Sequence, residues 1–107
     1  MNKQNMQVQI KQYAGPLGLS QEDTLLLLKE SYPDDIMVFA KLNGHLSSYE
    51  DKPPTITHEV TVLRNRFNLE GVGDSWEEAL INMVETADQK RQEKLAELEK
   101  LAADLSA

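Results

Sequence analysis

The side chains best suited to catalysis in this chain are its two histidines, and neither stands in a recognisable catalytic pattern. His45 follows an Asn-Gly pair, and His58 lies at the start of a strand-like run. A nucleophile needs a base within hydrogen-bond reach, and these contexts show no triad. The chain has no cysteine, which excludes thiol nucleophiles, thiolate metal sites and disulfides. We therefore expect no catalytic residue, no cofactor and no enzyme activity.

Carboxylates offer one arrangement that a metal could use. His45, Glu50 and Asp51 fall in or beside a polar stretch that favours a loop, where they could approach one another. The acidic pairs Asp34-Asp35 and Glu77-Glu78 are adjacent in sequence, so their side chains diverge on a strand or helix. We predict no metal site.

Three further side chains are candidates for contact with a partner. Arg64 and Arg66 flank Asn65 at a predicted hairpin tip, where they form either an anion or partner contact or an ordinary solvated turn. Trp76 opens a predicted helix. It either fastens that helix onto the sheet or stands exposed as an interface anchor, a role in which tryptophan is enriched.

The charge balance argues against nucleic acid as a partner. The 107 residues include 11 basic and 18 acidic side chains, a net charge of −7. Nucleic-acid binding depends on Lys and Arg that neutralise phosphates. No apolar run approaches the roughly 20 residues that span a bilayer, and the first residues lack the apolar core of a signal peptide. These observations predict a cytoplasmic protein without a membrane contact.

The segment from Asn65 to Glu78 organises the predicted fold. Asn65 separates two strand-like runs and tolerates the backbone of a tight hairpin. Gly71 and Gly73 are expected to let the chain leave the sheet at backbone angles closed to other residues. Ser75 and Glu78 have the spacing of a capping box at the start of a helix.

The remaining elements follow from periodicity and breakers. Alternation of Met6, Val8 and Ile10 with polar residues predicts a short N-terminal strand. Ser20 and Pro33 bound a helix over Gln21 to Ser31. The residues after Asp35 are apolar on both faces of a strand, which favours a central strand that ends at an Asn43-Gly44 turn. Two more strands are predicted, over Thr57 to Leu63 and over Phe67 to Glu70.

A last helix is predicted without a breaker from Trp76 to Ala107. Its first part offers apolar residues to the core, 88–94 is polar, and an apolar stripe then resumes at spacings of three and four. The stripe is Leu95, Leu98, Ala102 and Leu105. It requires a second surface. That surface is a second copy of the chain, a different protein partner, or the chain's own sheet if the helix folds back; without one, this half of the helix frays.

From Ser20 the predicted order is helix, three strands and helix, and in this the chain resembles the double-stranded-RNA-binding domain over roughly Leu19 to Ala87. The matching residues are His58, Val60, Val62, Phe67, Gly71, Gly73, Ser75, Glu78 and Ala79. The segment Gly73 to Leu80 is also similar to the strand-to-helix passage of HicB-like antitoxins. The first resemblance implies RNA binding through lysines after the serine. This chain has Trp76, Glu77 and Glu78 there, so negative charge replaces the positive charge that would contact RNA phosphates.

We therefore predict an α+β fold in which a three-stranded antiparallel sheet, with a possible fourth N-terminal strand, packs against two helices. The predicted parts are an N-terminal strand and connector (1–19), an α-β-β-β-α domain (20–87) and a C-terminal helical extension (88–107). By analogy with small accessory proteins of bacteria and phages, we expect an acidic protein-interaction domain that self-associates or docks a partner through its last helix. The alternative is a nucleic-acid-linked regulator, either a degenerate RNA-binding-like protein or an antitoxin-like inhibitor of a basic partner.

Overall fold

The computed structural model describes residues 2–35, 37–45, 53–65 and 67–106. These residues form three helices and three strands, which confirms the predicted α+β class with a long last helix. In chain order the elements are α1 (Lys3–Tyr13), α2 (Gln21–Ser31), β1 (Met37–His45), β2 (Thr55–Leu63), β3 (Asn68–Gly73) and α3 (Trp76–Ser106).

The N-terminal strand prediction is wrong, because Lys3–Tyr13 forms helix α1. Asn2 caps this helix by accepting a hydrogen bond from the Asn5 amide at 2.8 Å. Met6 and Ile10, which suggested alternation, are also four residues apart and so share one helical face. Met6 is fully buried, whereas Val8 is exposed. Residues 1–19 therefore contribute a helix to the same core as the rest of the domain.

Helix α2 has the predicted bounds, since it spans Gln21–Ser31. The Ser20 hydroxyl accepts from the Asp23 amide at 3.0 Å, and the Asp23 carboxylate accepts from the Ser20 amide at 3.4 Å. This reciprocal capping box fixes where the helix begins. Before it, Gly18 adopts a φ of +88°, which glycine accommodates without strain. The Leu19 amide donates to the Glu77 carboxylate at 2.7 Å and so fastens this turn to the start of α3.

The three strands form one antiparallel sheet in the order β1-β2-β3. The prediction that the first strand is central is therefore wrong, and β2 occupies that position. Met37 and Phe39 lie on the face of β1 away from the helices and are about half exposed, because in the described part of the chain nothing covers that face. The predicted Asn43-Gly44 turn is also wrong, because both residues continue β1 and pair with Thr57 and Ile56.

The close approach of α3 to β3 explains the two glycines of the predicted junction. Both lie within β3, and their backbone angles are not left-handed. A Cβ on Gly71 would overlap the Ala79 carbonyl oxygen and would lie 2.6 Å from the Met83 amide nitrogen. Gly73 is similarly close to Ala79. The prediction that these glycines provide special backbone angles is corrected: they provide room for the helix.

The hydrophobic core lies between one face of the sheet and the three helices. Its largest fully buried members are Met6, Leu27, Leu28, Val60, Val62, Leu80, Met83 and Val84. Helix α3 continues past this core without interruption to Ser106. None of the helices in the described ranges has the length and apolar character needed to span a membrane.

Candidate functional site

The second half of α3 presents its apolar side chains to solvent. Leu95 and Leu98 are each 54% exposed, and Leu105 is 86% exposed. Leu101, which the predicted stripe did not include, is 57% exposed, and Ala102 is exposed as well. The structure thus places the predicted stripe together on one continuous helix. It also shows that this half does not fold back onto its own sheet, so that alternative for the stripe is wrong.

The exposed stripe continues the buried one in the same register. Positions spaced alternately by four and three residues run from the core to the tip of the helix: Leu80, Val84, Ala87, Arg91, Lys94, Leu98, Leu101 and Leu105. This is the spacing of a coiled-coil seam. The first members pack against the sheet, and the last three face solvent. Two cations, Arg91 and Lys94, occupy the seam where the helix leaves the body.

A groove of about 310 Å³ lies at this point of departure, between α3 and the end of the sheet. Its lining includes apolar parts of Tyr32, Phe67, Leu69, Met83 and Ala87. Four cations and one carboxylate also line it: Arg64, Lys90, Arg91, Lys94 and Glu70. In the described ranges neither Lys90 nor Lys94 has an ion-pair partner. We refer to this feature as the basic groove; it is positively charged on a protein whose net charge is −7.

Arg64 is held in the wall of the basic groove and does not extend freely from a hairpin tip. Its Nε atom lies 3.2 Å from a carboxylate oxygen of Asp35, and its guanidinium stands 5.3 Å from the Tyr32 ring centroid and 5.8 Å from that of Phe67. Stacking of this kind suits arginine because its planar charge is weakly hydrated. Arg66, the other predicted contact at the tip, lies outside the described residues.

Tyr32 forms part of the floor of the basic groove and is largely buried. Burial raises the pKa of its phenol above the ordinary value of 10.0, while the neighbouring Arg64 charge acts in the opposite direction. The phenol therefore remains a neutral group over the physiological range. The groove combines neutral aromatic surface with fixed positive charge.

Trp76 is only 6% exposed, so the alternative of an exposed anchor at this position is wrong. Its ring packs edge-on against His58, with 4.7 Å between the ring centroids. Trp76 thereby fastens the first turn of α3 to the central strand. The Ser75 hydroxyl accepts from the Glu78 amide at 3.1 Å, which is the Ser75 half of the predicted capping box.

The structure does not describe all of the candidate set His45, Glu50 and Asp51. Glu50 and Asp51 lie outside the described residues, as does much of the predicted loop around them. Among the described side chains, no group of three or more His, Asp or Glu residues is placed to hold a metal ion. The open face of the sheet carries Met37, Phe39 and Val72, but the Lys41–Glu59 ion pair and Glu70 divide this apolar surface.

Sequence reasoning missed the basic groove. Lys90, Arg91 and Lys94 belong to a stretch interpreted only as polar, and their partners in the lining come from distant positions. The signal that was present is the seam spacing, which places Arg91 and Lys94 in line with the leucines.

Comparisons with protein-family models, with curated proteins and with solved structures found no match.

Proposed function

We propose that this chain is a non-enzymatic protein-interaction domain that self-associates through the projecting half of α3. The observation that carries the proposal is the exposed stripe formed by Leu95, Leu98, Leu101 and Leu105. Contiguous apolar surface of this kind marks interaction sites on proteins.

The geometry of α3 favours association by this half of the helix. An isolated helix of about 15 residues is marginal in water because its first turn is costly to form. Here the helix has already formed at the body, where Leu80 and Val84 are buried. Residues 95–105 are therefore presented in helical form before a partner arrives. This preorganisation reduces the ordering cost of binding.

A second copy is the partner that the stripe itself supports. The seam spacing of three and four matches the geometry by which two identical helices interlock their side chains. Closed association of two copies also leaves no further stripe exposed, as is usual for symmetric dimers.

Light scattering or sedimentation on the full chain tests the proposal, with Leu98→Glu as the disrupting variant. We expect the unchanged chain to assemble and Leu98→Glu to be a monomer with the same helical circular dichroism at the body. Ala96→Glu is the matched control, because Ala96 is exposed on the opposite side of the helix and takes the same new charge. A monomeric unchanged chain at high micromolar concentration would refute self-association.

A further inference from the structure

The projecting part of α3 has a charge division along its length. Residues 90–94, which we call the base, carry three cations and one anion: Lys90, Arg91, Lys94 and Glu93. Residues 97–104, which we call the tip, carry three anions and one cation: Glu97, Glu99, Asp104 and Lys100. The base thus has a net charge of 3 − 1 = +2 and the tip a net charge of 1 − 3 = −2.

This division is self-complementary in one orientation only. Two parallel copies would set base beside base and tip beside tip, with like charges together at both ends. Two antiparallel copies set each basic base beside the other copy's acidic tip. Antiparallel helices also oppose their dipoles favourably. Charge complementarity of this kind selects the orientation and register of an interface.

The basic groove lies where an antiparallel partner's tip would arrive. From residue 90 to residue 105 the helix rises about 22 Å, so the end of one copy reaches the base of the other. There the lining offers apolar surface from Phe67 and Ala87 and the ammonium groups of Lys90 and Lys94. Asp104 in the tip and Leu105 directly after it supply the matching carboxylate and leucine.

We propose that the chain forms an antiparallel dimer in which the acidic, leucine-bearing tip of each α3 docks in the basic groove of the other copy. This inference rests on the proposed self-association and specifies its partner surface. Specific interfaces bury roughly 1,200–2,000 Å² in total. Two short helical segments alone supply little of that area, and the two grooves add a contact at each end.

Charge-reversal variants measured by sedimentation equilibrium test the orientation. In the antiparallel dimer, Lys90→Glu with Lys94→Glu makes both the base and the tip acidic, and we expect the dissociation constant to rise at least about tenfold. Adding Glu99→Lys and Asp104→Lys to that chain should restore most of the affinity. In a parallel dimer the first pair of changes would replace two facing bases of +2 with two facing bases of −2, so the affinity should stay nearly the same.

Lys100→Glu is the matched control, because it is the same chemical change at the tip of the helix. An antiparallel dimer gains attraction from a more acidic tip, so its affinity should hold or increase. A parallel dimer would lose affinity from the same change. The antiparallel dimer is therefore weakened by the changes in the base and not by Lys100→Glu, whereas a parallel dimer is weakened only by Lys100→Glu.

Phe67→Ala tests the basic groove itself, since Phe67 is exposed and lies outside α3. We expect severalfold weaker association, whereas Phe39→Ala on the open sheet face should leave it unchanged. Equal affinity for the two variants would remove the groove from the interface.

A single cysteine separates failure of this inference from failure of self-association. Leu101→Cys, at a seam position, would oxidise in two parallel copies to a symmetric disulfide, which requires Cα atoms less than about 7 Å apart. In the antiparallel dimer the two positions are separated by about seven residues of rise, roughly 10 Å, and no disulfide should form. A rapidly formed disulfide in a dimeric protein would overturn the antiparallel docking alone. An unchanged chain that is monomeric would overturn both proposals.

Discussion

The two halves of α3 belong to one helix and place apolar residues at the same spacing, yet their surroundings are opposite. Leu80 and Met83 near its start are fully buried against β2 and β3, whereas Leu98 and Leu101 near its end are more than half exposed. Amphipathic spacing therefore shows that a helix face needs a neighbour, but the neighbour can lie in the same chain or in another. In this molecule the sheet ends before the helix does.

Shortening one leucine in each half of α3 tests this difference most directly. We expect Leu80→Ala to lower the free energy of unfolding by roughly 2–5 kcal/mol, because it removes buried contacts and leaves a cavity. Leu101→Ala should change it by less than about 0.5 kcal/mol when measured on the monomer. Urea denaturation at low protein concentration measures both. Similar losses would mean that the second half packs on the body after all.

The packing of the buried first half of α3 also depends on the strand against which it lies, β3. Gly71→Ala should cost roughly 1–3 kcal/mol or more, since its Cβ would meet backbone atoms of Ala79 and Met83 that have nowhere to move. Gly44→Ala is the matched control in β1, where a Cβ meets no atom within 4 Å. If Gly71→Ala were as stable as Gly44→Ala, the close approach of α3 to β3 would be in doubt.

A smaller effect on the free energy of unfolding is expected at the start of α3. Ser75→Ala removes the hydroxyl that caps the Glu78 amide, and we expect a loss of about 1 kcal/mol in unfolding free energy. Ser75→Asp should retain most of the stability, because an aspartate side chain can accept the same hydrogen bond. Thermal denaturation of the three chains gives the comparison. An aspartate variant as unstable as the alanine variant would argue for another role of the hydroxyl.

The smallest expected effect concerns pH at the boundary between the halves. Because the folded-state pKa of Tyr32 is raised above 10.0, the neutral phenol favours folding. Its contribution is complete below pH 10 and is lost as the pH rises through the folded-state pKa. Tyr32→Phe should therefore lose stability less steeply above pH 10, as measured by urea denaturation across pH. The other two tyrosines are common to both chains, so parallel curves would contradict a buried phenol at Tyr32.

Much of the fold was predictable because local signals agreed with one another. The bounds of α2 follow from Ser20 and Pro33, and the extent of α3 follows from the absence of a breaker after Trp76. The hairpin between β2 and β3 follows from two strand-like runs around Asn65. In each case a capping or turn residue supported the periodicity.

The errors occurred where one short pattern fitted two structures. Met6 and Ile10 satisfy a period of two and a helical spacing of four, and the buried contact of Met6 with the core favours the helix. Gly44 reads as a turn residue, although pairing with β2 keeps it in a strand. Such choices depend on tertiary contacts that no short window contains.

The candidate site was predictable in part. Leu95, Leu98, Ala102 and Leu105 were identified from spacing alone, whereas the basic groove joins Tyr32 and Arg64 to residues of α3 that are distant in sequence. Local charge counts showed an acidic chain. They could not show that the cations gather where the helix leaves the body.

The continuity of α3 has a mechanical consequence. It contains no glycine or proline from Trp76 to Ser106, and its first turns are fixed to the sheet by Trp76 and to the Gly18 turn by Glu77. The helix therefore acts as a lever with its pivot in the core. From Ala87 to Leu105 it rises about 27 Å, so a tilt of about 10° at the sheet would displace the tip by roughly 5 Å. A small repacking around Met83 would be transmitted to the far end as a large change in position.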